Sequence, residues 1–137
     1  MGIVIFLDTN IFVYAVSAAP DDATKRAVAR EILGEGNFVI SLQVVQEFIH
    51  VVSRKARLGQ TSSAIRQTAE MMLSFPLALL SPALVLKALS MKERYEIQYW
   101  DAAILAAAAE YDCHTLYSED LSHGQDYEGV KVINPFV

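Results

Sequence analysis

Cysteine is nearly absent from this chain of 137 residues. The one thiol, Cys113, excludes an internal disulfide and a thiolate zinc site. The three histidines, at positions 50, 114 and 123, lack the spacing of a ligand set, so a metal here would be held by oxygen. Six glycines and four prolines are too few for a linker or a low-complexity segment. Apolar runs such as Ala102 to Ala109 fall short of the roughly 18 residues of a membrane span, and the first residues carry no basic n-region. A cytoplasmic protein with no membrane partner is expected. Positive charge is also scarce: 11 bases against 16 acids give a net charge of −5, and such a field repels a polyanion. Two basic clusters, Lys25, Arg26 and Arg30, and Arg54, Lys55 and Arg57, reverse the sign locally, although each alone suits a solvated helix end.

What is present is core-forming material. A 53% apolar share with 20% charged residues predicts one globular domain over residues 1–137. Ile3 to Leu7 is an unbroken apolar run, the pattern of a strand buried on both faces, and Asp8-Thr9-Asn10 follows it into a helical turn over Ile11 to Ala15. Pro20 and Asp21 precede a helix from about Asp22 to Leu33, stopped by Gly34 and Gly36. Phe38 to Ile40 reads as a second strand, and Ser41 can cap a helix over Leu42 to Arg57. Thr61, Ser62 and Ser63 offer caps for a helix to Leu73. Ala78 to Leu80 suggests a third strand, and Ser81-Pro82 opens a helix to about Met91. Tyr99 to Asp112 is alanine-rich and helical. Thr115 to Tyr117 reads as a fourth strand, Gly124 and Gly129 bound a loop, and Val130 to Ile133 is a short final strand. Strands alternating with helices predict an α/β fold: a three-layer sandwich around a mostly parallel sheet of four to five strands.

In such sheets the ligand crevice lies beyond the carboxyl ends of the strands, which directs attention to Asp8 and to Ser118-Glu119-Asp120. Each candidate acid also has an ordinary explanation. Asp8 can be a helix cap. Glu47, with Gln43, His50 and Arg54 at helical spacing, can belong to a solvated stripe. Asp120 suits a turn. Asp101 shares its helical stripe with Ile97, Ile104, Leu105 and Ala108, so its carboxylate needs a partner or a metal, unless it only complements the helix dipole. As a set the four carry more weight. Neighbouring first and fourth strands place Asp8 beside Asp120, with Glu47 and Asp101 on helices able to reach them, and like charges so close persist only if a cation neutralises them. Oxygen-only ligands fit Mg²⁺ or Mn²⁺, and the matching chemistry is metal-activated attack of water on a phosphodiester.

The residues Leu7-Asp8-Thr9-Asn10, then Ser41 and Glu47, then Trp100-Asp101-Ala102-Ala103-Ile104, then Leu116 to Leu121 with His123-Gly124-Gln125, and finally Val132-Ile133-Asn134-Pro135, resemble a PIN domain, and specifically a VapC-type toxin of a bacterial toxin–antitoxin pair. The resemblance covers essentially the whole chain. It implies Asp8, Glu47, Asp101 and Asp120 as the catalytic acids, with Asp8, Asp101 and Asp120 on the metal. Asn10, Ser41 and Ser118 become supporting polar groups, and strand alternation favours Asp120 over Glu119. It further implies a homodimeric Mg²⁺- or Mn²⁺-dependent endoribonuclease that acts on RNA and is silenced by a small antitoxin. Dimerisation would join one basic cluster or the other into a phosphate-tracking rim. Two other readings compete. A non-catalytic PIN-like module would bind RNA or protein without cutting. A phosphotransferase-type enzyme also places an aspartate after a buried strand, but has Asn10 here where a second aspartate is required. Met71 and Met72 suit core or subunit contacts, and Cys113 suits the core.

Overall fold

Three short strands each hand the chain to a helix through a polar cap, at Asp8, Ser41 and Ser81. The computed structural model describes residues 4–137. β1 (Ile5–Leu7) ends at Asp8, whose carboxylate accepts from the Thr9 amide at 2.7 Å and starts α1 (Thr9–Val16). A 3₁₀ turn over Pro20–Asp22 leads to α2 (Ala23–Glu35) and β2 (Phe38–Ser41). Ser41 then caps α3 (Leu42–Arg54) by accepting from the Val44 amide. α4 (Ser62–Leu73) is capped by Thr61 and runs into β3 (Leu77–Ala78). α5 (Pro82–Tyr95), capped by Ser81 with proline in its first turn, is followed by α6 (Tyr99–Glu110) and β4 (Thr115–Tyr117). β5 (Asp126–Tyr127) and β6 (Val130–Ile133) close the sheet.

The strand order is β3-β2-β1-β4-β6-β5, with every pairing parallel except the β5–β6 hairpin. The order reverses at β1. Connections α1–α4 run outward from β1 to β3, whereas α5 and α6 carry the chain back to β4. Right-handed crossovers therefore place these groups on opposite faces, which makes three layers. β1 and β4 are the central neighbours, with Leu7 opposite Tyr117, so the residues following them, Asp8 and Ser118, emerge together at the switch point. The core runs through Phe6, Leu7, Ile40, Phe48, Leu105 and Leu116. α6 buries six residues, four of them alanines, and these small side chains let it lie close to α5 and the sheet.

Several boundaries differ from the sequence expectation. Of the first strand, Ile3 lies outside the described residues. The turn over 11–15 is a full helix, because the Asp8 cap starts it at Thr9. The helix expected to reach Arg57 stops at Arg54. A 3₁₀ turn over Ala56–Leu58 follows, held where the Leu58 carbonyl accepts from the Ala18 amide. The third strand sits at Leu77–Ala78, since the Leu79 amide donates to the Tyr111 hydroxyl instead of to a neighbouring strand. α5 continues four residues beyond Met91, until Glu96 adopts a left-handed conformation. The segment between Gly124 and Gly129 contains β5, a sixth strand. Met72 is buried in the core while Met71 is exposed. Cys113 is fully buried, and burial first, then the Asp112 charge, pushes its thiol up to about 11.

Candidate metal centre

Asp8 forms the floor of the site. It is 3% exposed, and both carboxylate oxygens are engaged: one accepts from the Thr9 amide and the other from the Ser118 hydroxyl at 2.7 Å. Burial raises its pKa to about 7 against those two lowering hydrogen bonds, with Asp120 and Glu47 adding repulsion. Asp101, in the first turn of α6, is half-buried and raised to about 6 by burial, then by the charges of Asp120 and Glu47. Asp120 is also raised, chiefly by burial. The Asn10 hydrogen bond and the Lys55 charge hold it down, while the Glu119 charge pushes it up.

One carboxylate oxygen from each of Asp8, Asp101 and Asp120 lies within 4.8 Å of the other two. Glu47 stands outside this trio but beside it. Its oxygens accept from the Thr9 hydroxyl at 3.1 Å and from the Gln43 amide at 2.6 Å. Gln43 also donates to the Trp100 carbonyl at 3.0 Å, which ties α3 to the start of α6. Glu47, Asp101 and Asp120 open into a cleft of about 1120 Å³.

The polar residues singled out in the sequence divide. Ser118 holds Asp8, and its oxygen also accepts from the Asp120 amide at 3.1 Å, so one hydroxyl fixes two of the three acids. Asn10 donates to Asp120 at 3.2 Å. Its side-chain oxygen is buried without a hydrogen-bond partner among the described residues. Ser41 is buried and used in capping α3, and makes no hydrogen bond to the acids among the described residues. Glu119 turns away. It accepts from the Tyr14 hydroxyl at 2.5 Å and pairs with Lys25 at 3.1 Å, which leaves Asp120 to face the trio.

Three residues that the sequence placed beside the acids without a role of their own, Thr9, Gln43 and Trp100, contribute to the site. The available signal was helical spacing, since Gln43 lies one turn before Glu47, and adjacency, since Trp100 precedes Asp101. The first basic cluster is engaged within the fold. Lys25 pairs with Glu119, Arg26 donates to the Ser17 carbonyl, and Arg30 donates to the Ala15 carbonyl. In the second, Arg57 pairs with Asp22, whereas Arg54 and Lys55 have no ion-pair partner among the described residues.

The sequence matches the PIN domain model over residues 5–124, a span that includes all four acids. The chain belongs to the PIN domain family. No curated protein matches it in sequence. Among solved structures this PIN domain is similar to a toxin–antitoxin complex from Klebsiella pneumoniae, at 20% identity over 96% of this chain and 97% of that one, with a TM-score of 0.67. It is also similar to VapC20 of Mycobacterium tuberculosis, a toxin that cleaves the sarcin–ricin loop. That match has 20% identity over 85% and 89% of the two chains, with a TM-score of 0.70. A third is VapBC2 from Rickettsia felis bound to a promoter DNA fragment, at 20% identity over 95% and 97%, with a TM-score of 0.67. At this identity the likeness is one of fold, and the PIN sandwich is common to all.

Proposed function

We propose that this PIN domain is a divalent-metal-dependent endoribonuclease, the toxin of a toxin–antitoxin pair. The observation that carries the proposal is the trio Asp8, Asp101 and Asp120, three oxygen donors within 4.8 Å of one another, brought from the end of β1, the first turn of α6 and the loop after β4. The donor set fits Mg²⁺ or Mn²⁺. Carboxylates raised by burial and mutual repulsion, and a buried Asn10 oxygen left without a donor, are what a cation would relieve.

Asp8, Asp101 and Asp120 would hold the ion, which when bound supplies activation of water and neutralisation of charge on the phosphate. The chain's own groups do the rest. Ser118 and the Thr9 amide fix the Asp8 oxygens, and Asn10 and Ser118 fix Asp120. Glu47, anchored by Thr9 and Gln43 and free of the trio, is the carboxylate left to take the proton from the attacking water. The cleft admits a strand of RNA at this end of the sheet. Three acids held together at such electrostatic cost favour this reading over a module that only binds. A cognate antitoxin is the proposed partner, in line with the toxin–antitoxin complexes of the same fold. A homodimer is supported by the exposed Leu79, Leu80, Val85, Leu86 and Leu89 around β3 and α5. A cytoplasmic location is part of the proposal; among the described residues no helix is long and apolar enough to cross a membrane.

Purified protein incubated with RNA should cut it in Mg²⁺ or Mn²⁺ and cease in EDTA. Asp8→Asn and Asp101→Asn, which keep shape but lose charge, should each remove most of the activity. Cleavage that survives chelation, or full activity in either variant, would overturn the proposal.

A further inference from the structure

The acidic cleft has no lysine or arginine in its lining; its charged walls are Glu47, Glu96, Asp101 and Asp120. Apart from the proposed ion, and from Lys55 and Arg54 at its edge, the lining offers a polyanionic strand little phosphate pairing, so a contact to the bases would add affinity. Trp100 offers one. It is the single tryptophan of the chain, and it is 62% exposed on the cleft wall beside Asp101. It is also held in place. The ring meets Tyr99 edge-on, with centroids 5.3 Å apart at 77°, and Tyr99 packs against the core. Its carbonyl accepts from Gln43, the same amide group that anchors Glu47.

We infer that Trp100 is a stacking platform for an unpaired base of the RNA next to the bond that is cut. This deepens the nuclease reading and rests on it. The face of a base is uncharged, so stacking is not opposed by the acids, and an indole braced by Tyr99 on a backbone anchored by Gln43 keeps its exposed face free for a base. In a duplex each base is stacked on both faces and has none to offer. Stacking persists from bound substrate to transition state, so it acts on KM and leaves kcat nearly unchanged.

Because Trp100 is the only tryptophan, its fluorescence reports the contact directly. Wild-type protein in Ca²⁺ is titrated with an RNA single strand of roughly 12 nucleotides, within the length single-strand sites cover, and with the same strand annealed to its complement. RNA integrity is checked on a gel. The single strand should quench the emission saturably and the duplex should not. In Mg²⁺ or Mn²⁺, Trp100→Ala should raise KM for a single-stranded substrate about 5- to 100-fold, the range that loss of one base stack spans. Trp100→Phe, which keeps a ring, should recover most of that loss, with circular dichroism unchanged in both variants. Equal quenching by strand and duplex, or no quenching with an unaltered KM in Trp100→Ala, overturns the platform. So does a Trp100→Ala variant that keeps its RNA parameters but loses self-association, which would place the ring in a protein interface. If wild-type protein fails to cut RNA, the nuclease reading falls, and the quenching comparison still decides the platform.

Discussion

Ser118 is a small residue with a disproportionate role, since its hydroxyl donates to Asp8 while accepting from the Asp120 amide. That hydrogen bond lowers the Asp8 pKa, which burial still carries to about 7. Ser118→Ala should therefore raise it further and weaken Mn²⁺ binding at pH 7 by roughly 10- to 100-fold, the usual effect of losing such a support. The deficit should shrink at pH 8 and above, as titration calorimetry across pH would show; a pH-independent deficit would contradict this account. The choice between adjacent acids is also decided locally. Glu119→Gln keeps an acceptor for Tyr14 and should leave activity within a few-fold of wild type, whereas Asp120→Asn should cost at least about 100-fold in metal-dependent cleavage. The reverse ranking would move the site to Glu119. Strand alternation pointed to Asp120, but the grip of Tyr14 and Lys25 on Glu119 was invisible in sequence, because these partners lie about a hundred residues away. Asp8 and Asp101 were legible because each interrupts an apolar pattern. The place of Trp100 on the cleft wall was not, because exposure is a property of the fold.

The elements with strong apolar signatures lie close to where the sequence put them, and the ones missed are those that lack a signature. β5 has two residues, too few for alternation to register, and its pairing depends on the turn at Glu128-Gly129, where φ is 53° and 93°. Positive φ at both central positions is the two-residue hairpin geometry that Asn-Gly fills best. Glu128→Asn should accordingly raise the melting temperature by roughly 1–3 °C, since the surface pair with Arg94 that it removes is worth little. Gly129→Ala meets no atom within 4 Å, so its cost is backbone strain alone. A penalty of about 1–2 kcal/mol should lower the melting temperature by roughly 3–8 °C. Thermal melts of the two variants moving in the same direction would refute the turn assignment. The end of α3 was misplaced for a different reason: Arg54 to Arg57 is helix-compatible, and contacts from another part of the chain, the Ala18–Leu58 hydrogen bond and the Arg57–Asp22 pair, hold the segment in a 3₁₀ turn instead.

At the scale of the molecule, the grouped acids make stability depend on pH and on cations together. The folded pKa values of Asp8 and Asp101, about 7 and about 6, lie above the ordinary 3.8. The folded state thus binds more protons, so stability from this source is full below about pH 4 and is lost as pH rises through 6 and 7. Asp22, lowered first by the Ser17 hydroxyl and also by Arg57, acts with the opposite sign, but only below its ordinary value and therefore outside this window. In EDTA the melting temperature should fall between pH 4 and pH 7, less steeply in Asp101→Asn. Mg²⁺ at pH 7 should raise wild type more than the variant. Identical responses in the two proteins would remove Asp101 from the metal centre. The central strand pair has one more consequence, which concerns biosynthesis. Ser118 and Asp8 are 110 positions apart, on strands that only the whole intervening chain can bring together. A chain still in synthesis, or cut anywhere between them and parted, cannot assemble the acidic trio, which also needs Asp120 beyond Ser118 and the pairing of β4 with β6.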